Sequence, residues 1–322
     1  MRGAAVAVVL AVVAASCGGG GSGKKAAAPT SSAPPVTAAP KRPCQTAPKS
    51  GLTTETFEFQ GQTRTYEQYV PEKMAAASGS PVPVVFNFHG YGSSAFQQML
   101  YGNFQPEADR DGFLIVAPQG QDAAGGRHFN LTNEPGLQDD VAMVLALLDH
   151  LEATLCIDTK RVYSTGMSDG GAMTSALACK APDRFAAFGA VAVVVYQAGC
   201  AGSTPVALEA FNGTADPVVP FNGGRVNCCG NPSLPGAPEA MRGWADHDGC
   251  SSPPAEVRLS SEVRRQTWPA CGASGAVVFY IIDGGGHTWP GAIDVGGFGL
   301  TTKQIDASGT IWDFFKAHPL AG

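Results

Sequence analysis

Gly166-Met167-Ser168-Asp169-Gly170 is preceded by the run Arg161-Val162-Tyr163-Ser164-Thr165 and followed by Gly171-Ala172-Met173-Thr174-Ser175-Ala176-Leu177-Ala178. Read as strand, sharp turn and helix, the stretch lifts a serine hydroxyl above the edge of a sheet. Glycines flank the serine because a side chain there would meet the neighbouring strand and helix. In a chain with 41 glycines a bare G-x-S-x-G is weak; the strand before it and the helix after it give it weight.

The surrounding sequence fits that reading. Thr54 to Val70 alternates apolar and polar residues around Gly61, which predicts a hairpin at a sheet edge. Val82–Phe88 and Phe113–Pro118 are apolar runs of strand length. Asp139 to Leu155 places Val141, Val144, Leu145, Leu148, Leu151 and Leu155 at helical spacing, with Asp139 or Asp140 available as its cap. Phe185–Tyr196 holds another apolar run, and Val206–Phe211 and Ala276–Ile282 read as strands. Asp306 opens a closing helix with Ile311, Phe314 and Phe315 on one face. Apolar strands alternating with helices predict an α/β fold: a mainly parallel central sheet with helices on both faces. Residues 222–275, rich in Pro, Gly and Cys, show periodicity only in a short helix around Glu239–His247. They read as a disulfide-tied loop excursion within a single domain spanning 44–322.

The first 43 residues read differently. Arg2, the apolar core Ala4–Val13 and the small residues before Cys17 form a signal peptide over 1–17, too short to span a bilayer as a mature helix. Ala14-Ala15-Ser16-Cys17-Gly18 resembles a bacterial lipobox, with Ala14 where that pattern prefers Leu. Lipidation of Cys17 is the expectation, and ordinary secretory cleavage nearby the alternative. Residues 18–43, built of Gly, Ala, Pro, Ser, Thr and Lys, read as a disordered linker. Export puts the eight remaining cysteines in an oxidising compartment, where up to four disulfides are expected. Cys250 with Cys271 and Cys156 with Cys179 are the pairs suggested by position. No ligand spacing points to a metal. A formal charge of −6 without a basic patch argues against a nucleic-acid partner. Any membrane association is expected only through the lipid anchor; the oligomeric state is not readable.

A serine hydroxyl needs a base to remove its proton, and the base needs a carboxylate to fix its tautomer. In elbows of this kind the chain order is serine, acid, histidine. Asp216, in Phe211-Asn212-Gly213-Thr214-Ala215-Asp216-Pro217, directly follows a predicted strand. A turn aspartate before proline is the plain alternative, and Asp246, Asp248 and Asp283 compete as the acid. His287, in Ile282-Asp283-Gly284-Gly285-Gly286-His287-Thr288-Trp289-Pro290-Gly291, follows the last strand on a glycine-rich loop. His247 also lies between the serine and the tail; His89 and His128 precede the serine, His150 sits in a helix and His318 in the tail. Backbone N–H groups of Asp169 and of Tyr91, in His89-Gly90-Tyr91-Gly92, are placed to meet a developing oxyanion, with the His89 side chain structural.

Taken together, several stretches resemble the secreted feruloyl esterases and polyhydroxybutyrate depolymerases, including mycobacterial-type esterase lipoproteins. They are Phe88-His89-Gly90, Asp139-Asp140, Arg161 to Gly171, Asn212-Gly213-Thr214-Ala215-Asp216 through Phe221 with Gly223-Gly224, Trp244 before Cys250, and Gly285-Gly286-His287-Thr288-Trp289-Pro290-Gly291. The resemblance spans about residues 50–316. It implies an α/β-hydrolase fold, a triad of Ser168, Asp216 and His287, and no metal or organic cofactor. Phe129-Asn130 stands where the family often has Trp-Asn, so Phe129 is expected to alter one pocket wall. Asn212-Gly213-Thr214 stands where it often has His-Gly-Thr. Trp289 is expected either as an aromatic rim for an acyl group or as core. The polymer-binding domain of many depolymerases is not in this sequence, which favours soluble or short-chain esters over crystalline polymer.

The expected function is therefore a secreted or lipid-anchored serine esterase. Its substrate would be a small-molecule, polysaccharide-linked or polyester-linked ester of the feruloyl, acetyl or short hydroxyalkanoate type. An acyltransferase using the same triad, and a non-catalytic surface protein on a hydrolase scaffold, are the alternatives.

Overall fold

The computed structural model describes residues 48–76, 80–197, 200 and 204–321, which fall in one compact unit. Cys17 and the segments expected as signal peptide and linker lie outside the described residues.

Ten strands form one sheet. They are β1 (Gly51–Phe59), β2 (Gln62–Val70), β3 (Val82–Phe88), β4 (Leu114–Pro118), β5 (Ile157–Met167), β6 (Ala187–Val191), β7 (Ala207–Gly213), β10 (Ala255–Arg258), β11 (Val263–Trp268) and β12 (Ala276–Ile282). Their order is β1-β2-β4-β3-β5-β6-β7-β12-β11-β10. From β4 to β12 every pairing is parallel. The β1–β2 hairpin and the β11–β10 pair close the two edges antiparallel. Two short strands, β8 (Gly223–Arg225) and β9 (Ser233–Pro235), pair with each other away from the sheet.

Continuous apolar runs such as Val84-Val85-Phe86 exist because both faces are covered. One face packs Val84, Phe86 and Phe88 against α4 (Asp140–Thr154), α5 (Asp169–Lys180) and α6 (Ala237–His247). The other packs Val85, Ile115 and Phe211 against α2 (Ala95–Tyr101), α3 (Gln105–Asp111) and α7 (Ala307–Ala317). The remaining helix, α1 (Glu72–Ala76), follows β2. Asp139 is the cap of α4, its carboxylate accepting the N–H groups of Val141 and Ala142. Asp140 is instead buried and ion-paired with Arg64 at 2.6 Å.

Two expectations need correction. Residues 222–275 are not only a loop excursion: after α6 they supply β10 and β11, which finish the sheet. β10 is the exposed edge strand and β11, beside it, is half-buried along its middle, so no apolar run marks either. The Cys250–Cys271 bond is present, but Cys179 pairs with Cys200, not with Cys156. Cys156 is disulfide-bonded elsewhere. The reason is length. β5 has 11 residues and α5 has 12, so the strand runs roughly 36 Å and the returning helix only about 18 Å. The end of α5 therefore stops far short of Cys156. A further bond joins the adjacent residues Cys228 and Cys229.

Candidate active site

Ser168 follows β5 directly, Asp216 lies three residues beyond β7, and His287 five residues beyond β12. These strands are parallel members of one sheet, so all three loops leave at its carboxyl edge. That edge is where open α/β sheets place their ligands.

The serine sits in a strained turn. Its φ is 57° and ψ −115°, a left-handed conformation that ordinary side chains rarely adopt. The packing around it imposes that shape. A Cβ on Gly166 would lie 2.6 Å from the Gly170 backbone, and one on Gly170 would lie 2.1 Å from the Phe88 carbonyl oxygen. The Ser168 N–H donates to the Val191 carbonyl at 2.9 Å, tying the turn to β6.

Asp216 and His287 form a buried pair. Asp216 Oδ2 is 2.7 Å from His287 Nδ1, and the side chains are 2% and 3% exposed. The other carboxylate oxygen accepts the N–H groups of Val218 and Val219, both at 2.8 Å. A carboxylate held on both oxygens fixes the ring, with Nδ1–H facing the acid and Nε2 turned away. The His287 N–H donates to the Phe298 carbonyl at 2.7 Å, which anchors the loop. Of the competing acids, Asp246 is exposed on α6 and the other two are occupied elsewhere. Asp283 pairs with Arg258 and Arg264. Asp248 and His247 form a second buried pair, but it holds the Val206 N–H and the Cys200 carbonyl and joins α6 to β7.

The turn after β3 lies against the serine: a Cβ on Gly90 would be 3.3 Å from Ser168 Cβ. The next N–H is that of Tyr91. Asp169 opens α5, and N–H groups of a first helical turn have no intrahelical partner. His89 is fully buried, and burial, aided by Arg127, pushes its pKa down to about 4 against the opposing Gly90 carbonyl. Its Nε2 accepts the Gly120 N–H at 3.0 Å, so Nδ1 carries the proton and donates to the Gly90 carbonyl at 2.8 Å. A neutral ring in that place braces the turn.

Of the two aromatic residues named for the substrate, Trp289 takes the other of its two expected places, in the core, and Phe129 does not reach an open surface. Trp289 is 1% exposed, its Nε1–H donates to Ser308 Oγ, and its ring meets Phe104 edge-on. The reason is the chain's return: Ala307, at the start of α7, donates to the Pro290 carbonyl and closes over the indole. Phe129 is 2% exposed and packs on Phe88 and His89. It lies under the His89 turn instead of forming a pocket wall.

The Asp169 carboxylate accepts the Phe129 N–H at 2.8 Å. Burial pushes its pKa up to about 6, opposed by that hydrogen bond and by His128. No periodicity could have signalled it, because its partner is a backbone group 40 residues away. Among the described residues no cluster of His, Cys, Asp and Glu is arranged to hold a metal.

This architecture is that of the α/β-hydrolases. The chain is similar to the acetyl xylan esterase from Aspergillus awamori, with a TM-score of 0.58 at 13% identity, covering 82% of this chain and 99% of that one. Within that class it belongs to the family described as Esterase PHB depolymerase, which it matches over residues 64–251, more than half its length. It is 29% identical over 301 residues to feruloyl esterase D of Neurospora crassa, covering 87% of this chain and 91% of that protein. It is 33% identical over 192 residues to feruloyl esterase C of Emericella nidulans, covering 54% and 67%. The chain is thus a carboxylic ester hydrolase of this family.

Proposed function

We propose that this chain is an extracytoplasmic serine esterase whose nucleophile, base and acid are Ser168, His287 and Asp216. The observation that carries the reading is the buried Asp216–His287 pair at 2.7 Å, on the same sheet edge as a serine at φ 57°. His287 takes the proton from Ser168 as the hydroxyl attacks an ester carbonyl. The backbone N–H groups of Asp169 and Tyr91 receive the oxyanion, and the alcohol leaves with the proton held by His287. Water, deprotonated by the same ring, then releases the acid from the acyl-enzyme. The substrate class we favour is a feruloyl- or acetyl-type ester, with short hydroxyalkanoate esters next, in line with the names of the relatives. Disulfides at Cys179–Cys200 and Cys250–Cys271 support folding outside the reducing cytoplasm. Attachment through a lipidated Cys17 is part of the proposal and rests on the sequence alone.

A fluorophosphonate probe tests the chemistry. Wild type should be labelled and S168A should not; an unlabelled, folded wild-type protein would refute the reading. Ranking methyl ferulate, 4-nitrophenyl acetate, acetylated xylan and 4-nitrophenyl 3-hydroxybutyrate by kcat/KM then tests the substrate class. Metabolic labelling with a fatty-acid analogue, lost in C17A, tests the anchor.

A further inference from the structure

We propose that the Asp169 side chain is a positioning residue for the oxyanion donors, locking the loop over residues 119–130 onto the serine elbow through the Phe129 N–H. This rests on the serine-esterase reading of Ser168.

The two expected donors belong to different segments: Asp169 to the start of α5 and Tyr91 to the turn after β3. Their mutual placement must hold to a fraction of an ångström for both to meet one oxygen. The 119–130 loop touches both segments. Its contacts to the β3 turn are several. Gly120 N–H donates to His89 Nε2 at 3.0 Å, Gly92 N–H donates to the Arg127 carbonyl at 2.7 Å, and the Tyr91 ring stacks on His128 at 5.3 Å with planes 14° apart. The loop is itself braced by two hydrogen bonds between the Gln121 and His128 backbones. Both His128 nitrogens face acceptors, the Gly126 carbonyl and the Glu134 carboxylate.

Phe129 N–H joins this loop to the elbow by donating to Asp169 Oδ2. One residue further on, the Asn130 N–H is held by Asp140, whose charge is matched by Arg64. The two carboxylates hold consecutive N–H groups, Asp140 fixing the loop to the scaffold and Asp169 fixing it to the nucleophile's helix. Asp169 thus supplies one donor through its backbone and sets the place of the other through its side chain. The chain of contact runs from Asp169 to Phe129, then His128, then Tyr91. A carboxylate kept only to complement the positive end of α5 would not need to reach the Phe129 N–H.

The experiment compares wild type, D169A and D169N on 4-nitrophenyl acetate, with phenylboronic acid as a tetrahedral-adduct mimic. D169A should lower kcat about 10- to 100-fold, the scale of a misplaced or missing oxyanion donor, with KM within about twofold. Its Kd for phenylboronic acid should rise in parallel. D169N keeps a side-chain oxygen for the Phe129 N–H and should recover most of the lost kcat. Unchanged kcat in D169A would overturn the inference, and so would D169N as impaired as D169A at equal Tm. If D169A does not fold, Y91A carries the same expectation, since it removes the stack on His128 and keeps the residue-91 N–H; full kcat in Y91A would overturn it. A wild-type protein with no turnover and no labelling of Ser168 would instead bring down the serine-esterase reading, and this inference with it.

Discussion

At the scale of single residues, the candidate site was legible because its chemistry depends on side-chain type and chain order. Ser168, Asp216 and His287 could be picked out from glycine-rich loops after apolar strands, and the structure brings the acid and the histidine into contact at 2.7 Å. The aromatic residues were not legible. Trp289 and Phe129 lie next to motif residues, but adjacency in sequence says nothing about which way a ring points, and both are buried. The Asp216 contact gives a direct test. In D216N the amide still occupies the site but cannot stabilise an imidazolium, so kcat should fall by up to about 10⁴-fold with the fold intact. Steady-state kinetics beside a thermal melt check this. A loss below about tenfold at unchanged Tm would move the acid's role to another carboxylate.

At the scale of elements, the strands buried on both faces and the alternating β1–β2 hairpin at one edge are readable, and the opposite edge is not. Val82–Phe88 is legible to the residue because a strand covered on both faces is apolar almost throughout, Asn87 being the exception. β10 and β11 are not legible, because β10 is exposed, β11 is half-buried between Val263 and Trp268, and the two carry Arg, Glu and Gln. What joins elements is likewise invisible in local pattern. Arg64 on β2 reaches Asp140 at the start of α4 at 2.6 Å, and also donates to the Gln138 side chain and the Gln119 carbonyl. The second Asp140 oxygen accepts from Asn130 N–H and Gln121 Nε2. A buried pair so fully hydrogen-bonded makes single truncations costly, since each leaves an uncompensated charge. R64A and D140A should each lose about 3–5 kcal/mol in urea unfolding. The double variant R64M/D140L should lose clearly less than the two losses added together, because no charge is left unpaired. Additive losses would show that the two side chains act independently.

At the scale of the whole molecule, covalent ties add to stability and a buried, unpartnered acid opposes them. The Cys179–Cys200 and Cys250–Cys271 bonds each span 21 residues, a loop size for which cross-linking contributes about 3 kcal/mol. Reduction should therefore lower Tm by on the order of 10 °C; an unchanged melt after verified reduction would show that the bonds do not support the fold. Glu209 acts in the opposite sense. It lies in the middle of β7 with no exposure, and among the described residues neither carboxylate oxygen has a hydrogen-bond partner. Burial, with Asp313 adding to it, pushes its pKa well above the ordinary glutamate value. The folded chain therefore holds a proton here that the unfolded chain releases from about pH 4.3 upward. Stability from this group is full below that pH and falls as pH rises toward the folded pKa. E209Q, neutral throughout, removes the proton linkage while keeping the shape. The Tm advantage of E209Q over wild type should thus widen from pH 5 to pH 8 relative to its value near pH 4. Carboxylates lowered by ion pairs, such as Asp111 and Asp283, lose their contribution in acid in both proteins, so they cancel from the difference. Parallel Tm curves across that range would mean that Glu209 titrates alike in the folded and unfolded chains.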